Sequence, residues 1–81
     1  MKRADVTFSE FESGSITEKV SSLDDITAGE GFICVRIGYP VGPQQRWPVW
    51  EKAEKGLFRQ RGKEGVDHIR EDSYDFFRVK E

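Results

Sequence analysis

The stretch Gly31-Phe32-Ile33-Cys34-Val35-Arg36-Ile37-Gly38-Tyr39 gives the clearest strand signal in this chain of 81 residues. Successive side chains of a strand point to opposite faces. One face of this stretch holds only apolar and aromatic side chains, namely Ile33, Val35, Ile37 and Tyr39. The other face, with Phe32, Cys34 and Arg36, is only partly polar. We therefore expect a central strand that is covered on both sides.

The chain around this strand is short and rich in turn-forming residues. Its length predicts a single domain, residues 1–81, that buries only about 60 % of the surface its unfolded chain exposes. Seven of the eight glycines lie between Gly29 and Gly65, and all three prolines lie between Pro40 and Pro48. Such spacing divides the second half of the chain into short strands and turns.

Four further strands are predicted in the second half, over Trp47–Ala53, Leu57–Arg61, Val66–Arg70 and Phe76–Lys80. Turns at 54–56 and 62–65 separate them, and 71–74 is predicted as one helical turn. A helix over 48–56 is an alternative, because Pro48 suits a first helical turn and Gly56 suits a helix end. Both alternatives stay open for this segment.

Residues 1–22 are predicted to form an acidic arm or edge element outside a β-rich core at 23–81. The segment 6–8, together with Phe11, has the composition of an edge strand. Ser15-Ile16-Thr17-Glu18 fits a capping box, which indicates a short helix from Ser15 towards Leu23. Val20-Ser21-Ser22 is a poor helix interior, so this helix also stays open.

The order of these segments from Leu23 onward resembles the layout of SH3-like small barrels. The segments that carry the resemblance are Leu23-Asp24-Asp25-Ile26-Thr27-Ala28-Gly29, the strand at 32–39, the hairpin at 47–61 and the turn Asp72-Ser73-Tyr74 into Phe76-Phe77-Arg78-Val79. The resemblance is one of layout, without a diagnostic motif. We expect a mainly β fold, either an SH3-like barrel or a strongly bent antiparallel sheet of about five strands with one short helix. An α+β fold is the alternative. Barrels of this type bind proteins, peptides and nucleic acids.

Charge is distributed unevenly along the chain. The formal net charge is −2, which argues against a protein that binds mainly by neutralising phosphates. Residues 1–30 carry three basic and seven acidic residues, whereas residues 46–63 carry six basic and two acidic residues. We expect both regions to be solvated faces of the fold. The acidic arm could also shield the basic window, or compete with an anionic ligand for it.

Few side chains offer catalytic or metal-binding chemistry. Cys34 and His68 form the one thiol–imidazole combination, but a mid-strand cysteine is typical of a buried structural thiol. His68 has no second histidine or cysteine near it in sequence, which disfavours a zinc site. We expect no catalytic residues, no metal, no cofactor and no enzymatic activity.

The sequence also bears on location. The longest unbroken apolar run, Phe32–Val35, is too short to cross a membrane. No apolar stretch follows Met1-Lys2-Arg3, so a secretory signal is not predicted. A single cysteine excludes an internal disulfide and suits a reducing compartment. We therefore expect a cytoplasmic protein with no membrane partner.

Aromatic and basic residues alternate in one region and form the candidate site. The candidate contact residues are Tyr39, Arg46, Trp47, Trp50, Phe58, Arg59 and Arg61. Trp, Tyr and Arg dominate protein–protein hot spots, and aromatics beside basic residues also bind single-stranded nucleic acid. Because Trp47 and Trp50 are three residues apart on a strand, they should face opposite sides, one buried and one exposed.

The favoured hypothesis is a small non-enzymatic protein-binding module that acts as an inhibitor, adaptor or immunity-type protein. The alternative is a single-stranded nucleic-acid-binding small β-barrel. A short frame that begins with Met1 and has no targeting signal suits a phage or mobile-element protein. A protein partner is expected, and the sequence does not define an oligomeric state.

Overall fold

A computed structural model of the chain describes residues 2–81 and has a mainly β fold with one short helix. Within these residues it contains eight strands, one α-helix and two 3-10 turns. In chain order these are β1 (Asp5–Thr7), α1 (Phe8–Ser13), β2 (Thr17–Val20), a 3-10 turn (Leu23–Asp25), β3 (Gly31–Arg36), β4 (Arg46–Pro48), β5 (Trp50–Glu54), β6 (Leu57–Gln60), β7 (Val66–Asp67), a 3-10 turn (Glu71–Ser73) and β8 (Tyr74–Val79).

Six strands form one antiparallel sheet in the order β2-β8-β3-β5-β6-β7, and β1 pairs with β4 in a separate two-stranded ribbon. Over residues 2–81 no pairing joins the edge strands β2 and β7, so this is an open sheet and not a closed barrel. The prediction of a mainly β fold with an antiparallel sheet is confirmed. The strand number is higher than the five expected, because residues 5–20 supply β1 and β2 and because the strand expected at 47–53 is divided into β4 and β5.

The central position predicted for the stretch at 31–39 is confirmed, since β3 lies between β8 and β5. Its two faces separate as expected. Ile33 and Val35 belong to one buried cluster, and Phe32 belongs to another. The strand is shorter than predicted and ends at Arg36, where the backbone N–H of Ile37 donates to the Ser73 carbonyl 3.0 Å away.

One side of the six-stranded sheet, called the sealed face here, is covered by α1 and the β1–β4 ribbon. Its buried cluster consists of Val6, Ile33, Val35, Trp47, Val49 and Val79. The Phe11 ring from α1 lies 4.8 Å from the Trp47 ring and 4.9 Å from the Phe77 ring, centroid to centroid. Packing of the Phe11 ring against these two rings thus stabilises the position of the helix on the sheet.

The helix forms at a different place from the one predicted. The Thr7 side chain accepts from the Glu10 backbone N–H while the Glu10 carboxylate accepts from the Thr7 backbone N–H, a complete capping box. Gly14 ends the helix with a left-handed φ of 70°, which glycine adopts without steric cost. The predicted helix from Ser15 towards Leu23 is absent, because Thr17–Val20 pairs with β8 instead.

The opposite side of the sheet, called the hollow face here, holds the second buried cluster: Val20, Leu23, Ile26, Phe32, Phe58 and Phe76. Phe32 on β3 and Phe58 on β6 are two strands apart, which corresponds to about 10 Å in a flat sheet. Their ring centroids nevertheless lie 5.6 Å apart. Both rings therefore lean over the same concave side of a bent sheet.

The segment 48–56 is a strand and turn and not a helix. β5 and β6 form an antiparallel hairpin, and the register shifts between Lys52 and Glu54 just before the turn at 55–56. From β7 the chain returns to β8 across the hollow face, and Ile69 packs against the buried cluster on the way. Within residues 2–81 the helices all fall short of the length and apolarity that spanning a bilayer requires.

The Arg61 side chain forms hydrogen bonds with Arg3 and Glu81, which lie far apart in the sequence. Its guanidinium donates two hydrogen bonds of 2.7 Å to the Glu81 carboxylate and one of 3.0 Å to the Arg3 carbonyl. Glu51 lies 3.0 Å from Nε as an ion pair without an aligned hydrogen bond. Gly31 leaves the room for this group, since a Cβ there would lie 2.8 Å from the Arg61 Nη2 atom and 2.7 Å from Val49.

Candidate functional site

Two of the predicted contact residues are core residues. Trp47 is 6 % exposed on the sealed face, and Phe58 is 7 % exposed on the hollow face. Their burial has a simple cause, because a domain of this size needs its large aromatics to fill the core. Neither ring is therefore available to a partner in this conformation.

The three predicted arginines lie in three different settings. Arg46 forms an ion pair of 3.4 Å with Asp5 beside the β1–β4 ribbon. The Arg61 side chain is 9 % exposed and is held by carboxylates, and the hydrogen bonds that it donates to Glu81 raise its pKa. Arg59 is exposed, with Glu51 as its Cα partner across β5. Arg59 and Arg61 thus both lie next to Glu51, but carboxylates hold Arg61, and Arg46 lies with Asp5 on the ribbon.

Trp50 and Tyr39 are the predicted aromatics that stay accessible. Trp50 is half-buried and packs against the hollow-face cluster, whereas Trp47 belongs to the sealed-face cluster. The two tryptophans lie on different strands, β5 and β4, and not on the single strand from which the opposite orientation was expected. Tyr39 is 60 % exposed, and the Arg36 guanidinium lies 4.5 Å from its ring centroid. That distance is within the range of a cation–π contact, which orders both side chains.

An open cleft of about 410 Å³ lies on the hollow face beside Trp50. This Trp50 cleft is lined by apolar and aromatic side chains at its floor, Cys34, Pro48, Trp50, Ile69 and Tyr74, and by Asp67, His68 and Arg70 at its rim. Ile69 also borders a neighbouring cleft of about 440 Å³ next to Phe58. An apolar floor with a few polar groups at its margin is typical of a binding site.

The loop after β3 concentrates the exposed apolar surface of the molecule. Of the four large apolar side chains exposed in residues 2–81, three lie in this loop, Ile37 at 52 %, Tyr39 at 60 % and Val41 at 40 %. We call these three residues the loop patch. The loop leaves β3 at Arg36, whose partner in register is Tyr74, a residue of the Trp50 cleft. The loop patch therefore begins one residue after the register partner of a cleft residue.

Cys34 and His68 both border the Trp50 cleft but do not form an activated pair. Burial raises the pKa of the Cys34 thiol to about 12. A nucleophilic thiol requires the opposite shift. His68 Nδ1 lies 3.0 Å from the Gly56 carbonyl, which can only accept, so Nδ1 carries the proton of this bond. Over residues 2–81 no three His, Cys, Asp or Glu side chains are grouped for metal binding.

Much of the positive charge is neutralised within the fold. Among residues 2–81, the basic side chains in ion pairs are Lys2, Arg3, Lys19, Arg46, Arg61 and Arg78. Arg78 repeats the arrangement at Arg61, with Glu18 at 2.6 Å, Glu30 at 3.1 Å and the Asp25 carbonyl at 2.6 Å. Within the basic window at 46–63, Arg46 and Arg61 belong to ion pairs, whereas Lys52, Lys55, Arg59 and Lys63 form none with the residues that the structure describes.

Sequence reasoning missed several residues of this surface. Ile37 was assigned to the strand, although Gly38 and Pro40 immediately after it signal a turn. Tyr74 was assigned to a polar helical turn, yet it begins β8 and lines the cleft. Val41 and Arg70 carry no local signal, because only the chain path places them at this end of the sheet.

No protein-family model, no curated protein and no solved structure matches this chain.

Proposed function

We propose that this chain is a small non-enzymatic protein-binding module, an inhibitor, adaptor or immunity-type protein of the cytoplasm. Its contact surface is the loop patch together with the Trp50 cleft. The observation that carries the proposal is that three exposed apolar side chains fall within residues 37–41, in the loop that follows Arg36, the register partner of the cleft residue Tyr74. Exposed apolar clusters of this kind mark interaction sites in soluble proteins.

The strands of the main sheet hold the aromatic residues of this contact surface in positions that suit binding of a partner. Trp50 and Tyr74 project from strands of the main sheet, so their positions are set by backbone pairing and not by a mobile loop. Rigid aromatic side chains bury a large area on binding while losing little conformational entropy. Tyr39 adds an exposed ring that Arg36 already orders. The contact surface is therefore partly pre-organised before a partner arrives.

The test is a matched comparison of two surface variants in partner capture. The triple variant Ile37→Ser, Tyr39→Ser, Val41→Ser removes the loop patch, while Val66→Ser removes an equally exposed apolar side chain elsewhere. Val41 and Val66 are both 40 % exposed, so their changes are comparable. Circular dichroism first verifies that both variants keep the strand signal.

The proposal predicts that a partner captured by the native chain is lost with the triple variant and retained with Val66→Ser. Capture that survives the triple variant would remove the loop patch from the site. The absence of any partner that depends on these residues would overturn the assignment as a binding module.

A further inference from the structure

We propose that residues 62–72 form a releasable strap, which opens as a unit while β2, β8, β3, β5 and β6 stay paired, and which thereby controls access to the floor of the hollow face. The strap includes β7 and runs from β6 to β8, so strands of the main sheet fix both of its ends. This inference goes beyond the proposed function, because it concerns a motion of the chain itself and requires no partner.

The strap has little buried surface. Ten of its eleven residues are exposed, and Ile69 is the one that is half-buried. Six of the eleven are charged and two are glycines, a composition that buries little apolar area. Within residues 2–81 none of these six charged side chains belongs to an ion pair. Ile69 is therefore the main apolar anchor of the strap.

Few hydrogen bonds hold the strap to the sheet. β7 pairs with β6 at two register positions, and His68 Nδ1 donates to the Gly56 carbonyl 3.0 Å away. The remaining backbone bonds of the strap that residues 2–81 contain close the turns at its two ends. A segment with few buried apolar contacts and exposed hydrogen bonds opens at a lower free energy than the whole fold.

The two buried clusters lie outside the strap. Every fully packed member of the sealed-face cluster and of the hollow-face cluster comes from residues before 62 or after 72. Ile69 packs against the hollow-face cluster from outside it. Release of the strap therefore removes a cover and does not empty a core, which is the physical reason for an opening that spares the sheet.

Opening would change the shape of the hollow face. Ile69 lies between the Trp50 cleft of about 410 Å³ and the cleft of about 440 Å³ beside Phe58, and strap residues line both. Without Ile69 between them, the two clefts would become one groove. Cys34 lies on the sheet side of the Trp50 cleft, where burial raises the pKa of its thiol. Release of the strap should therefore make this thiol more reactive.

The experiment follows the reaction of Cys34, the single cysteine of the full chain, with an aromatic disulfide reagent at pH 8. The rate is measured in water and in urea below the unfolding transition, and is divided by the rate of the urea-unfolded chain. This ratio gives the open fraction, because a loop of about ten residues closes far faster than a thiol reacts. We expect the rate to rise with urea, but less steeply than global unfolding, since less surface becomes exposed.

Three variants locate the opening. Ile69→Ala should raise the labelling rate about five- to thirtyfold, because it removes the apolar anchor. Val66 lines neither cleft, so Val66→Gly acts on β7 pairing alone and should raise the rate about two- to fivefold. Val6→Ala is the matched control, because Val6 belongs to the sealed-face cluster. It should lower the urea midpoint of global unfolding and leave the labelling rate in water unchanged.

Two results would overturn the strap. A urea slope equal to that of global unfolding, or equal acceleration by Val6→Ala and Ile69→Ala, would mean that the hollow face opens only when the whole fold unfolds. A rate independent of urea would mean that the reagent reaches Cys34 while residues 62–72 stay in place. If Ile69→Ala does not fold, the urea slope of the unmodified chain and the response of Val66→Gly decide the matter.

Discussion

Each face of the main sheet has one tryptophan in or against its buried cluster, but the two tryptophans differ in exposure. On the sealed face, Trp47 of the β1–β4 ribbon is buried against α1 and the main sheet. The hollow face carries Trp50 under a single returning segment, 68–73, that leaves a cleft on either side of Ile69. One indole is therefore a core residue and the other is half-open. The coverage supplied by residues 5–13, and not the residue type, decides which indole can meet a partner.

The largest expected effect tests the division between the faces directly. Trp47→Ala should lower the free energy of unfolding by about 3–5 kcal/mol, since it empties a packed site. Trp50→Ala should cost only about 1–2 kcal/mol, because its ring is half-exposed already. Urea unfolding of both variants measures the difference. A larger loss at Trp50 would mean that the hollow face is the main core.

The next largest loss of stability is expected at Gly31, the first residue of β3, where neighbouring side chains approach the backbone closely. Gly31→Ala should destabilise the fold by about 1–3 kcal/mol, because its methyl group would overlap Val49 and the Arg61 guanidinium. Gly65→Ala is the control, since no atom lies within 4 Å of a Cβ there. Thermal unfolding should show a lower midpoint for the first variant only. Equal midpoints would show that Arg61 is not held in place.

The paired hydrogen bonds between Arg61 and Glu81 predict a smaller loss of stability. Arg61→Lys keeps the charge but cannot form the paired bonds to Glu81, so we expect a loss of about 1 kcal/mol. Arg59→Lys, at an exposed position, should change stability by less than about 0.5 kcal/mol. The two substitutions are compared by denaturant unfolding. An equal response would place Arg61 in solvent.

The smallest effect concerns the helix that covers the sealed face. The backbone bond from Thr7 and the bond from Arg3 lower the pKa of Glu10 to about 2 from 4.5. Folding thus favours the ionised carboxylate, and this stability is present above about pH 4.5 and is lost as pH falls towards about 2. Glu10→Gln should flatten the acid limb of a stability profile, whereas Glu12→Gln on the same helix should leave it unchanged. Identical acid limbs in both variants would contradict the capping role.

The part of the fold that local pattern controls was predictable. Alternation along 31–36 determined the two faces of β3, and the turn residues around Gly56 marked the hairpin. The helix was misplaced because two capping-box patterns, Thr7–Glu10 and Ser15–Glu18, compete in the sequence. Pairing of Thr17–Val20 with β8 decides between them, and that contact spans more than fifty residues.

The site was predictable to a lesser degree. Tyr39 and Trp50 are the predicted aromatics that stay accessible, but the orientation of Trp47 does not follow from spacing along one strand, because Trp47 and Trp50 belong to β4 and β5. Sequence alone does not show which face a distant segment covers, so Trp47 and Phe58 were grouped with accessible residues. Arg61 was grouped with them as well, because its partner Glu81 lies twenty residues away in the chain.

Collisional quenching of tryptophan fluorescence tests the central claim most directly. Trp47→Phe retains Trp50 as the sole indole, and Trp50→Phe retains Trp47. We predict that acrylamide quenches Trp50 several-fold more strongly and that its emission lies further to the red. Equal protection of both indoles, or stronger quenching of Trp47, would contradict the assignment of one sealed and one open face.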